Sequence, residues 1–206
     1  GGFVTTGTEN VLIGNGAGAT TTNITTGIRN VMIGSYNRGA AADSTNSIVI
    51  GYNVAGVNDA MSFGNAGTDS RIAFGATSIT APSDMRLKED IQDEIIGLDF
   101  LNELRPVTFL WKKEKDIPSE LKSHKKDSEK RVMNGKYNHG FIAQEVKATI
   151  DKYGLKEGFD MWQEDDSDGR QRIAPSAAVP LIIKAIQELS EQNKKLKAEI
   201  ELLKNK

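Results

Sequence analysis

The chain has no cysteine. Disulfide scaffolds, thiolate zinc sites, iron–sulfur clusters and cysteine nucleophiles are thereby excluded, and the absence fits a reducing compartment. It also lacks a surplus of either charge: 26 basic against 28 acidic residues leave −2. Sequence-independent nucleic-acid binding needs a strong positive excess to neutralise phosphates, so no nucleic-acid partner is expected. No apolar run approaches the roughly 18 residues of a spanning helix, so no membrane insertion is expected. The opening Gly1-Gly2-Phe3-Val4 carries neither a signal peptide nor a lipidation motif and reads as a cut from a longer chain. Neither a metal nor a cofactor is expected. The two histidines, His124 and His139, stand 15 apart without cysteine. Gly14-Asn15-Gly16-Ala17-Gly18 lacks the amphipathic helix and acidic partner of a nucleotide fingerprint. The acidic run Glu164-Asp165-Asp166-Ser167-Asp168-Gly169 has calcium-loop spacing, but Pro175 stands where the bidentate glutamate belongs, so a polar hairpin is the better reading.

Lysine is missing from the whole first part of the chain; the first is Lys88. Residues 1–82 hold 14 of the 20 glycines and 12 threonines but only 7 charged side chains, whereas residues 83–206 hold the other 47. So sharp a shift marks a boundary between two folding regimes near residue 82. The first part repeats: Asn10-Val-Leu-Ile-Gly14, Asn30-Val-Met-Ile-Gly34, Ser47-Ile-Val-Ile-Gly51, Ala60-Met-Ser-Phe-Gly64 and Arg71-Ile-Ala-Phe-Gly75. Each copy is a short β-branched or apolar strand closed by a turn-forming glycine. Two or three apolar side chains per strand, with no helix to cover them, barely offset chain entropy. Stacking against other chains would build a continuous core, so the segment is expected to be a slice of an intertwined oligomer. A monomeric glycine-rich β-solenoid and a disordered linker are the blander readings.

The second part reads as α+β. A short helix is expected over Leu98 to Leu104, ended by Pro106, then a strand over Val107-Thr-Phe-Leu-Trp111. The lysine-rich stretch 112–136 reads as a solvated loop rather than an anion site, because acidic residues interleave it. Apolar residues at 142, 146, 150 and 153 have helical spacing, with Gly154 as the stop. Asp168-Gly169 favours a type I′ turn between strands at Met161-Trp162 and Arg172-Ile173. At the C-terminus, Val179, Ile186, Asn193 and Ile200 alternate with Ile182, Leu189, Leu196 and Leu203 in 3,4 spacing. These are a and d positions of a coiled coil over about 179–204, and Ile at a with Leu at d leans towards dimers.

The composition break falls on Ala81-Pro82-Ser83-Asp84-Met85-Arg86-Leu87-Lys88-Glu89-Asp90-Ile91. Ser83-Asp84-x-Arg86-x-Lys88 followed by Ile91 resembles the start of the peptidase S74 family, the C-terminal intramolecular chaperones of phage tail spikes, tail fibres and endosialidases. Leu104-Arg105-Pro106-Val107 with Phe109 and Trp111, His139-Gly140-Phe141-Ile142-Ala143-Gln144-Glu145-Val146, Pro180-Leu181 and the terminal heptads follow in the same order. Over roughly residues 8–76 the repeats more weakly resemble phage-fibre and trimeric-adhesin head repeats. The resemblance implies a domain that trimerises, aligns three fibre chains, nucleates their folding and cuts itself off before its own serine. Carried onto this chain, Ser83 is the nucleophile, Lys88 the general base and Pro82–Ser83 the scissile bond. Asp84, Arg86, His139 and Glu145 are supporting candidates.

The chemistry asks much of Lys88. A serine hydroxyl needs a base, and a lysine serves near neutrality only when its ordinary pKa of about 10.4 is lowered. Burial or a cation such as Arg86 would lower it; Asp84 or Glu89 close by would raise it. Residues five apart do not share a helix face, so Ser83 and Lys88 must meet through a turn or across subunits. Ser83 could instead merely cap the turn that begins the second domain. His139 could equally be a buried structural histidine, and Glu145 could pair with Arg or Lys.

The fold expected is an N-terminal all-β trimeric repeat fibre, of intertwined β-helix or β-prism type, over residues 1–82. An α+β chaperone domain with autopeptidase activity follows over 83–206, ending in the coiled coil. The expected partners are two further copies in a homotrimer, the upstream fibre or spike segments of the same chain, and a host-surface receptor for the fibre part. The expected location is the virion tail, with the chaperone acting in the host cytoplasm during assembly. The alternative is a permanent, non-cleaving trimerisation or receptor-binding tip. A glycan-degrading enzyme is disfavoured, since the first 82 residues carry one Glu and three Asp.

Overall fold

A computed structural model describes residues 4–19, 22–155, 158–165 and 167–205. The reading of Gly1-Gly2-Phe3 and of Asp166 in the acidic run lies outside them. The chain divides into two compact units, Gly1–Ile91 and Gln92–Lys206, so residues 83–91 fall with the first. The protein is mixed α/β, with several short sheets and one long C-terminal helix.

The first unit holds β1 (Val11–Ile13), β2 (Val31–Ile33), β3 (Ser47–Tyr52), β4 (Ala60–Asn65) and β5 (Ser70–Ala73), side by side in that order. The first four run parallel and in register: Val11, Val31, Ile48 and Met61 align, as do Leu12, Met32, Val49 and Ser62. The fifth copy does not continue the stack; β5 turns back antiparallel to β4. Met32, Val49, Ile24, Val54 and Ala17 form a small core with Leu12 against it.

This corrects the expectation of an intertwined N-terminal all-β fibre, because the repeats stack on one another within one chain. The entropy argument that favoured other chains left out hydrogen bonds. The asparagines before β1 and β2 form a ladder that reaches the first residue of β3. Asn10 Oδ1 accepts from Asn30 N and Nδ2 (3.0 and 2.9 Å), and Asn30 Oδ1 accepts from Ser47 N (3.2 Å). Asn30 Nδ2 also donates to the Ser44 carbonyl (2.7 Å), and Asn37 joins Ile33 O to Val54 N. Asn30 and Asn37 are fully buried. Such satisfied buried amides contribute about 1 kcal/mol per hydrogen bond and fix register where few side chains are apolar.

The closing glycines stack as well. Gly51 has φ +137°, and a Cβ there would lie 1.9 Å from the Gly64 carbonyl oxygen. Gly51→Ala therefore forces backbone apart in the left-handed region. We expect it to lower the stability of this unit by more than about 2 kcal/mol. A urea midpoint equal to wild type would contradict the stacked geometry.

The second unit contains α1 (Leu98–Glu103), β6 (Val107–Phe109), β7 (Asn138–Gly140), α2 (Ala143–Lys152), β8 (Trp162–Glu164), β9 (Gln171–Ile173) and α3 (Val179–Lys204). Phe100, Val146, Ile150, Met161, Ala178 and Leu181 are its buried centre. Phe100 meets Tyr153 and Phe159 edge-on, at 5.4 and 6.1 Å. α1 is held on α3 by Glu188, whose carboxylate accepts from Leu98 N (2.8 Å). Gly97 leaves room for it: a Cβ there would sit 2.6 Å from that carboxylate.

The hairpin loop is longer than Asp168-Gly169 alone predicts. Asp165 N donates to the Arg170 carbonyl and Gly169 N to the Asp165 carbonyl. The Asp165 carboxylate accepts from both Arg170 and Arg172, which hold it far below the usual carboxylate range.

Within the stretch 112–136, expected as a solvated loop, residues 112–132 are folded back on themselves. Glu114 N donates to Lys130 O (2.7 Å) and Val132 N to Lys112 O (3.0 Å). Glu129 accepts from Lys113 (2.5 Å) and from Lys115. Those two ammonium groups hold the Glu129 carboxyl at about 2, against an ordinary 4.5. A depressed folded value contributes stability present above 4.5 and lost as pH falls through about 2. The groups are exposed, so salt screens the effect. Carboxyl-carbon NMR of Glu129 should titrate near 2; a midpoint near 4.5 would show the clamp does not hold in solution.

Candidate active site

β5 delivers the chain to the junction. Thr80 is its last sheet anchor, exchanging backbone hydrogen bonds with Arg71 (2.8 and 2.7 Å) and donating its hydroxyl to the Arg71 carbonyl (3.1 Å). This anchor stands two residues before Pro82, and no motif in the sequence marks it.

Beyond it the chain is exposed from Ala81 to Ile95. A single 3-10 turn, Met85–Leu87, interrupts the extended backbone. Asp84 caps this turn: its Oδ1 accepts from Arg86 N at 2.9 Å. Leu87 N donates to Asp84 O (3.0 Å) and Lys88 N to Met85 O (3.1 Å). The turn reverses the chain enough to bring Lys88 back, and Lys88 Nζ donates to Ser83 Oγ at 2.7 Å. Capping belongs to Asp84, so the serine hydroxyl is left to the lysine.

Arg86 does not act as a free cation beside Lys88. Its guanidinium grips both Asp84 oxygens, Nε to Oδ1 at 3.0 Å and NH2 to Oδ2 at 2.6 Å. The guanidinium draws the Asp84 carboxyl below its ordinary value, and the carboxylate pushes Arg86 up. Sequence spacing missed the pairing, because an i,i+2 contact lies outside the helical rule.

The remaining candidates belong to the second unit. His139 lies on β7 opposite Thr108 and is exposed rather than buried. Glu145 opens α2 and accepts from Arg105 Nε and NH2, at 3.1 and 2.5 Å. Its partner is an arginine of the Leu104-Arg105-Pro106 motif.

The chaperone-of-endosialidase family, Peptidase_S74, matches residues 83–155. Over this stretch, about a third of the chain, the sequence is similar to the peptidase S74 family. No curated protein and no solved structure gives a significant match to the chain. The S74 match begins on Ser83 and takes in the turn, the Arg105–Glu145 pair and α2. The S74 family is one of self-cleaving peptidases, and the match supports a chaperone role in tail-fibre assembly. That role is consistent with a place on the virion tail.

Proposed function

We propose that residues 83–206 are an intramolecular chaperone that assembles three fibre or spike chains and then releases itself by cutting between Pro82 and Ser83. The hydrogen bond between Lys88 Nζ and Ser83 Oγ carries this reading. At 2.7 Å the two atoms are close enough for a proton to pass between them. In the reactive form the neutral amine accepts the hydroxyl proton, and Oγ attacks the Pro82 carbonyl. The Pro82–Ser83 amide bond then breaks, and the proton held by Lys88 goes to the departing Ser83 nitrogen. This leaves an ester between the Pro82 carbonyl and Oγ. One water hydrolyses it to a Pro82 carboxylate and a free Ser83. The same steps can run in trans, with a neighbouring chain's Ser83 as the attacker.

Homotrimer formation supports two parts of this cycle. The a and d residues of α3 are exposed in the single chain, including Ile186 at 60% and Leu203 at 69%. A seam of that kind is stable only against other helices and raises the local concentration of the attached chains. Around the Ser83–Lys88 pair, Met85, Leu87 and Ile91 are also exposed. Covering them on assembly would desolvate Lys88 and favour its neutral form, so cutting would follow assembly. A dilution series tests that link: cleavage should slow as the oligomer is lost, and an unchanged rate would separate the two. The cut itself is tested by the intact mass of freshly expressed protein beside Ser83→Ala. Wild type should split and the variant stay whole.

A further inference from the structure

We propose that Asp84 and Arg86 are positioning residues for the Ser83–Lys88 pair. Asp84 folds the turn that returns Lys88 to Ser83, and Arg86 holds Asp84 in place while cancelling its charge. This rests on the self-cleaving reading above. Fully extended, residues five apart would stand about 17 Å from one another, far beyond the reach of a lysine towards a serine. The Met85–Leu87 turn closes that distance. It is exposed, so no packing holds it. Besides its two backbone hydrogen bonds, what defines it is the Asp84 carboxylate, which accepts from Arg86 N and from Nε and NH2 of the guanidinium. Charge-assisted bonds of this kind are roughly twice as strong as neutral ones.

The charge matters as much as the shape. The charged neighbours of Lys88 on this segment are Asp84, Arg86, Glu89 and Asp90. With Arg86 removed, Asp84 is an uncompensated anion near Lys88. An anion favours the ammonium, and catalysis needs the neutral amine, so the pH–rate curve moves up. With Asp84 changed to Asn, the cap acceptor remains but Arg86 is an uncompensated cation, so the curve moves down. A merely structural role would lower the rate without moving the curve in opposite directions.

The experiment compares Asp84→Asn, Asp84→Ala, Arg86→Gln and Arg86→Lys with wild type in the full chain, following cleavage from pH 6 to 10. Asp84→Ala, which loses cap and charge, should lower the plateau rate by about 10-fold or more. Asp84→Asn should keep most of the plateau and shift the curve down. Arg86→Gln should shift it up, and Arg86→Lys should restore it towards wild type. Asp84→Ala and Arg86→Gln with wild-type rates and profiles would overturn the proposal, as would Asp84→Asn losing as much as Asp84→Ala. A second reading comes from the uncut Ser83→Ala background, where NMR of the Lys88 ε-carbon reports its titration directly. There Arg86→Gln should raise the midpoint and Asp84→Asn lower it. Wild type that does not cut would sink the self-cleaving reading, whereas absent NMR shifts would sink the positioning one.

Discussion

Ser83→Ala should abolish release of the first 82 residues, and Lys88→Ala should slow it by about 10²–10⁴-fold, the usual contribution of a general base. The sharper comparison is Lys88→Arg. A guanidinium keeps the positive charge and can still donate to Ser83 Oγ, but it does not give up its proton in a protein. If Lys88 acts only by holding the hydroxyl, Lys88→Arg keeps much of the rate. If it takes the Ser83 proton, Lys88→Arg loses as much as Lys88→Ala. We expect the second result, read as the fraction of cut chain against time. The rate of wild type should also rise with pH, since only the neutral amine accepts a proton.

Ile186→Asp combined with Leu189→Asp should convert the proposed oligomer into single chains over at least a 100-fold wider range of concentration. Both side chains are exposed in the single chain, at 60% and 43%, so neither change removes a contact of the unit's own core. That core is reached through Leu181 and Ala185, on the adjoining face of α3. The core of the second unit should therefore hold while the sedimenting mass falls. Placing carboxylates in an apolar seam costs several kcal/mol per site unless they are paired. Cleavage should fall with assembly. Variants that sediment like wild type would show that the stripe is not the interface.

Much of this was readable in advance, and the failures have particular causes. Leu98–Glu103 and Ala143–Lys152 are helices because their apolar spacing and stops are local properties. The meeting of Ser83 with Lys88 through a turn is local too. Arg86, offered as a cation that could lower the lysine pKa, is bound by the aspartate two residues before it, a pairing that i,i+3 and i,i+4 spacing does not announce. The intertwined fibre failed on an incomplete account of stability. Counting apolar side chains left out Asn10 and Asn30, which recur at the position before a strand and satisfy the neighbouring coil. That recurrence was visible in the repeats. The Glu188 cap on Leu98 spans 90 residues of chain, and nothing local announces it. The 112–132 arm shows the same limit, since its interleaved charges pair across the loop rather than facing water singly.

The central claim is the cut at Pro82–Ser83, and intact mass spectrometry of freshly expressed wild type over prolonged incubation tests it most directly. The account predicts two species whose masses equal residues 1–82 and 83–206, the second beginning with an unmodified Ser83 amine, and a single uncut mass for Ser83→Ala. Wild type that remains 206 residues long while fully assembled would contradict it and leave residues 83–206 as a permanent cap.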